Sequence, residues 1–148
     1  DELEMTVRGE DGSEQTLGYG DAGLVDAVIG ALGPPDTQVT EVSALCGDLR
    51  TITGWGGLTI ESPESGGHFV IYNAAEDDAL VTAKGIATGD PLGAAQALPG
   101  ASPITGAEGQ SVLVDEDGDQ VGVVFVTDGG GGPITRLIAP GFDALDFC

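Results

Sequence analysis

His68 is the only histidine in this chain, so a general base would have to be that imidazole or a carboxylate. It stands at the head of an apolar segment beside Gly66-Gly67, a position that also suits a surface residue at a strand end. Hydroxyls are present at Ser43, Ser62, Ser65, Ser102 and Ser111, but none sits in the Gly-x-Ser-x-Gly turn that exposes a nucleophile. The turn Asp115-Glu116-Asp117-Gly118-Asp119 places Asp115, Asp117 and Asp119 where their oxygens could surround a hard cation such as calcium. It departs from the EF-hand loop, because Gly118 follows only three acidic positions and no bidentate glutamate closes the loop. The competing reading is a hairpin bend at Asp117-Gly118. Glu76-Asp77-Asp78 reads as a loop tip. Asp128 to Gly132 lacks the Lys-Ser/Thr of a phosphate-cradling loop and leads into a strand. The chemistry is thin: no catalytic residue, cofactor or metal site is assigned, and the chain reads as a non-enzyme.

What remains is surface. Trp55, Phe69 and Tyr72, with Tyr19, are the candidate contact residues, since aromatic anchors carry much of the energy of protein interfaces. Trp55, between Gly54 and Gly56, either fills a helix–sheet core or stands out as such an anchor.

The 148 residues carry 25 Asp+Glu against 4 Lys+Arg, a formal charge of −21. Arg8, Arg50, Lys84 and Arg136 cannot neutralise a row of phosphates, so nucleic acid is excluded as a direct partner. The same field repels anionic lipid headgroups, and no apolar run is long enough to span a bilayer. A basic protein surface is the partner this charge favours, beside the plainer roles of solubility and tolerance of salt.

Two cysteines, Cys46 and the final residue Cys148, suit one bridge closing a loop of about a hundred residues, worth on the order of 4 to 5 kcal/mol by chain entropy. Such a bridge implies an oxidising compartment, the alternative being two free thiols in a cytosolic chain. Asp1 to Glu4 is acidic, unlike a secretion signal, which fits a processed form.

These residues need elements to hold them. Residues 1–18 form an acidic segment with a Leu3-Met5-Val7 alternation, read as an edge strand before the Asp11-Gly12 turn. Residues 20–32 predict a helix, with Asp21 as N-cap, Leu24, Val28 and Leu32 on one face, and Gly33-Pro34-Pro35 as the stop. A polar link with Asp36 and Glu41 follows. Leu49 to Thr53 and Trp55 to Ile60, joined at Gly54, then 68–73 and 80–83, predict an antiparallel meander. Residues 89–100 repeat the helical signal, with Pro91 at the first helical position. Strands are expected again at 110–114, 120–127 and 133–139. The spacing from Asp21 to Asp90 suggests a duplicated unit, dividing the chain into 1–18, 19–84 and 85–148.

Leu32-Gly33-Pro34-Pro35, Cys46, Trp55-Gly56-Gly57-Leu58-Thr59, Phe69-Val70-Ile71-Tyr72, Thr82 to Asp90 and Cys148 together resemble small secreted or lipid-anchored proteins of high-GC Gram-positive bacteria. The order of elements is similar to that of beta-lactamase inhibitory protein-like domains, whose fold is α+β with two tandem helix-plus-antiparallel-sheet repeats. This chain differs in having one disulfide candidate rather than one per repeat, and few of the aromatics that would line an inhibitory sheet. The resemblance implies that fold, a site outside the cytoplasm, secreted or anchored at the outer face of the cell membrane, and an accessory or protein-interaction role in the cell envelope. A calcium-dependent binder or a small hydrolase using the carboxylate loops is the alternative.

Overall fold

The computed structural model describes residues 4–8, 11–44, 47–73, 80–82, 84–104, 110–115, 121–128 and 132–142. Cys46, Cys148, Asp117, Asp119 and the Glu76-Asp77-Asp78 tip lie outside the described residues.

Among the described residues the chain forms eleven strands and two helices. In order these are β1 (Glu4–Arg8), β2 (Glu14–Gly18), α1 (Leu24–Leu32), β3 (Thr37–Val42), β4 (Leu49–Trp55), β5 (Leu58–Pro63), β6 (Phe69–Asn73) and β7 (Leu80–Thr82). They continue as α2 (Leu92–Gln96), β8 (Ala101–Ile104), β9 (Gln110–Val114), β10 (Val121–Thr127) and β11 (Arg136–Phe142). One antiparallel sheet of eight strands runs β3-β4-β5-β6-β11-β10-β9-β8, and a second of three runs β2-β1-β7.

The pleat sorts each strand into two faces. Paired across the large sheet on its inner face are Trp55 with Leu58, Leu58 with Tyr72, Tyr72 with Leu137, Leu137 with Phe125, and Phe125 with Val112. Ile60, Val70, Ala139, Val123 and Val114 extend that layer. Against it pack Met5 and Val7 of β1, Leu24 and Val28 of α1, and Leu92 and Ala95 of α2, all buried. Both helices and the small sheet therefore cover the same face of the large one.

α1 follows the predicted spacing of Leu24 and Val28, which are fully buried, and ends at Gly33 in the left-handed region (φ 84°), whose N–H donates to Ile29 O. Its N-cap is Gly23, with no side-chain cap; Asp21 contributes its backbone carbonyl to Leu24 N instead of the expected carboxylate.

Two tandem helix-plus-sheet repeats of an α+β fold are not what forms. The protein is mostly β. α2 has five residues rather than the twelve of 89–100, and Pro91 caps it instead of opening its first turn. β7 leaves the expected meander to pair with β1, where it meets the backbone N–H and C=O groups on the side of β1 away from β2. β1 is thus the central strand of its sheet, not an edge, and the halves are not equivalent units. Gly54 does not turn the chain: β4 runs through it, and the bend falls at Gly56 (φ 52°) and Gly57. Residues 37–42, expected as a link, are β3, and β11 starts and ends three residues later than expected.

With 25 acids and 4 bases, most carboxylates have no cation to pair with; among the described residues Arg8 pairs with Glu14, and Arg50 with Glu41 and Glu61. A net charge of −21 leaves an excess of acids that repel one another through solvent. Raising monovalent salt from about 10 mM to about 0.5 M is expected to raise the melting temperature by several degrees as this repulsion is screened. A flat or falling response in a thermal scan would show the acids already spaced to avoid conflict.

Candidate functional site

Three of the four aromatic side chains that sequence singled out, Trp55, Tyr72 and Tyr19, belong to the buried core. Trp55 and Tyr72 are 8% and 4% exposed. The Trp55 indole N–H donates to Gly33 O at 2.9 Å, tying the end of α1 to the sheet, so the anchor reading gives way to the core reading. Tyr19 is buried as well, and desolvation pushes its phenol well above its ordinary value. Of the three residues assigned to binding, only Phe69 lies on the opposite face, half-buried and paired with Glu61.

His68 precedes β6, and its Nδ1–H donates to Tyr19 O at 2.9 Å, since a carbonyl can only accept. That is its one hydrogen bond among the described residues, and no serine joins it. The Ser65 hydroxyl donates to Asp48 Oδ2, while Ser43 and Ser111 are buried. Among the described residues no group of three or more His, Cys, Asp or Glu is placed to hold a metal. Asp115 continues from the end of β9 and is half-buried; its partners in the expected cation turn are not described. The structure therefore brings the sequence candidates together in no single site.

A different surface emerges from the register. On the outer face of the large sheet, Thr59 pairs with Ile71, Ile71 with Ile138, Ile138 with Val124, and Val124 with Leu113. Beside this row run Phe69, Ile52 and Val39 on one flank and Val126 on the other. Val124 and Leu113 are buried, Thr59, Ile71 and Ile138 half-buried, and Val39 is 53% exposed. No helix or strand among the described residues lies over this face. At the β3 end the Arg50 guanidinium bridges three strands, bonding Glu41 Oε1 at 2.9 Å and Glu61 Oε2 at 2.6 Å. The Glu41 hydrogen bond leads in holding Arg50 above its ordinary value. Arg50 Nε is buried without a partner. The exposed Arg50–Glu41 pair, which fastens β3 to β4, contributes under about 1 kcal/mol, and the part-buried Arg50–Glu61 pair ties β4 to β5.

The signal for this surface was present as alternation, since Thr59, Glu61, Phe69 and Ile71 interleave with inward residues; its apolar character is strongest where strands distant in sequence meet. No helix of the described chain is long and apolar enough to cross a membrane. Compared with protein families, with curated proteins and with solved structures, the chain matches none.

Proposed function

We propose that this protein is a non-catalytic interaction or accessory module of the cell envelope, acting outside the cytoplasm, that binds a protein partner through its sheet. The observation that carries the reading is the division of the large sheet. Its inner face is filled by helices and the small sheet, while the half-buried outer residues Thr59, Ile71 and Ile138 meet no described helix or strand. A contiguous apolar stripe with charged residues at its margin has the composition of a protein contact surface. The charge of −21 speeds encounter with a basic partner more than it tightens the final complex. The extracytoplasmic placement is supported by the Cys46–Cys148 expectation and by the resemblance to secreted and lipid-anchored proteins.

The test is retention of native envelope proteins by the immobilised full chain. Replacing Ile71→Lys and Ile138→Lys together, with the fold checked by circular dichroism, is expected to weaken capture of a basic partner at least about tenfold, because both cations enter the contact. Replacing Asp115, Asp117 and Asp119 by Asn should leave capture unchanged. Equal retention by the lysine variant, or calcium binding at micromolar level abolished by the three Asn substitutions, would overturn the reading, the latter in favour of a calcium-dependent binder.

A further inference from the structure

The large sheet has two edges, and they are built differently. β8 is four residues long and contains Pro103. The bond from Asp115 N to Gly100 O sets the phase of the β8–β9 ladder, so Ser102 and Ile104 face β9 and Pro103 faces outward, where a donor is missing. That edge is blocked. β3 is six residues long, Thr-Gln-Val-Thr-Glu-Val, with no proline, lysine or bulge, and every residue is exposed. Its hairpin bond from Ser43 N to Asp48 O fixes the phase in the same way. Thr37, Val39 and Glu41 exchange bonds with Gly54, Ile52 and Arg50, leaving the N–H and C=O groups of Gln38, Thr40 and Val42 directed away from the sheet. Natural proteins generally obstruct an edge of this length.

Side chains mark the same place. The exposed large hydrophobics among the described residues are Val39 (53%), Val42 (62%) and Leu49 (37%), all on β3 and its partner β4. β3 is also held ready: Arg50 straps it through Glu41, and the hydroxyls of Thr40 and Thr51 bond at 3.1 Å. β2, the open edge of the small sheet, ends at Gly18 and turns Leu17 toward the core. Around β3 stand Asp36, Glu41, Asp48, Glu61 and Glu64, against Arg50 alone, which is already engaged by two of them.

We propose that β3 is a docking edge that takes an extended, basic segment of a partner protein as a ninth strand of the large sheet. The proposal rests on the interaction-module reading and specifies its mode. Backbone bonds to Gln38, Thr40 and Val42 supply the pairing, Val39 and Val42 give alternate apolar contacts on the two faces, and the carboxylates select lysine or arginine. A second copy of this chain fits the edge poorly, because antiparallel pairing would bring two such acidic clusters together.

The probe is a synthetic peptide of about ten residues alternating lysine and valine, with a glutamate–valine peptide as its control. The full chain is expected to bind the first and not the second, with slowed hydrogen exchange at the amides of Gln38, Thr40 and Val42. Thr40→Pro removes one outward donor while leaving the backbone ladder to β4, at the loss of the Thr40–Thr51 hydroxyl bond, and should weaken binding about tenfold. Val42→Lys, which leaves the backbone intact, should weaken it as well and covers the case in which the proline variant folds poorly. No binding, binding without protection of those amides, or wild-type affinity in Val42→Lys would overturn the docking edge. A dimer of the free chain in sedimentation, abolished by Thr40→Pro, would overturn it too and give the edge to a second copy. Envelope capture that persists in the β3 variants but is lost in the Ile71→Lys, Ile138→Lys variant would leave the interaction module standing and remove only this mode.

Discussion

Gly122→Ala is expected to lower the melting temperature by roughly 10 °C, corresponding to about 3 kcal/mol or more for a chain of this size. Gly122 lies at the register shift between Gly122 and Val124, where β10 bulges against β11. A Cβ placed there would run into the Val114 carbonyl oxygen and lie 2.7 Å from its carbon and 3.2 Å from Asp115 Cα. These are backbone atoms of the paired strand and its continuation, and they can yield only by opening the β9–β10 ladder that carries Val112 and Val114 into the core. Gly30→Ala is the control. Gly30 sits inside α1 with open space around its would-be Cβ, and the same chemical change there should stabilise by about 0.5–1 kcal/mol through helix propensity. Thermal scans in which both variants shift alike would sink the steric account.

Trp55→Ala should cost about 3–5 kcal/mol, since it empties a large buried site and deletes the bond that holds Gly33 at the end of α1. Trp55→Phe keeps most of the apolar volume and loses that bond, for about 1 kcal/mol plus whatever repacking adds. The pair separates packing from hydrogen bonding. An unchanged denaturant midpoint in Trp55→Ala would return Trp55 to the role of exposed anchor, with consequences for where the partner binds.

Trp55 shows where reading the chain alone stops. Its spacing from Leu58 and Ile60 tells that a strand turn lies nearby, and the glycines beside it tell that the chain can bend. Neither tells which side of the sheet will be covered. β3 shows a second limit. Thr-Gln-Val-Thr-Glu-Val lacks an apolar alternation because both of its faces meet water, so it read as a polar link; the β-branched content of Thr37, Val39, Thr40 and Val42 was the one available signal. α2 shows a third, since Gly93, Ala94, Ala95 and Ala97 fit a longer helix by composition. Only Leu92 and Ala95 find buried places, and the helix is as short as that contact allows.

What the sequence by itself determined is local or summed over the whole chain: the excess of acid, the apolar stripe and Gly-Pro stop of α1, the strands β6, β9 and β10, and the single histidine. These follow from side-chain spacing, backbone freedom and charge, which each residue carries with it. Tertiary structure alone decided that β6 joins β11, that β7 crosses to β1, that Trp55 and Tyr72 face inward, and that Ile71, Ile138 and Val124 line up on the face opposite the helices. The physical reason is that the pleat's period of two assigns residues to a common face without saying which face is buried. That choice is made only when segments far apart in sequence compete to cover apolar area, and here both helices and the small sheet cover the same side of the large sheet, while no described helix or strand lies over the other side.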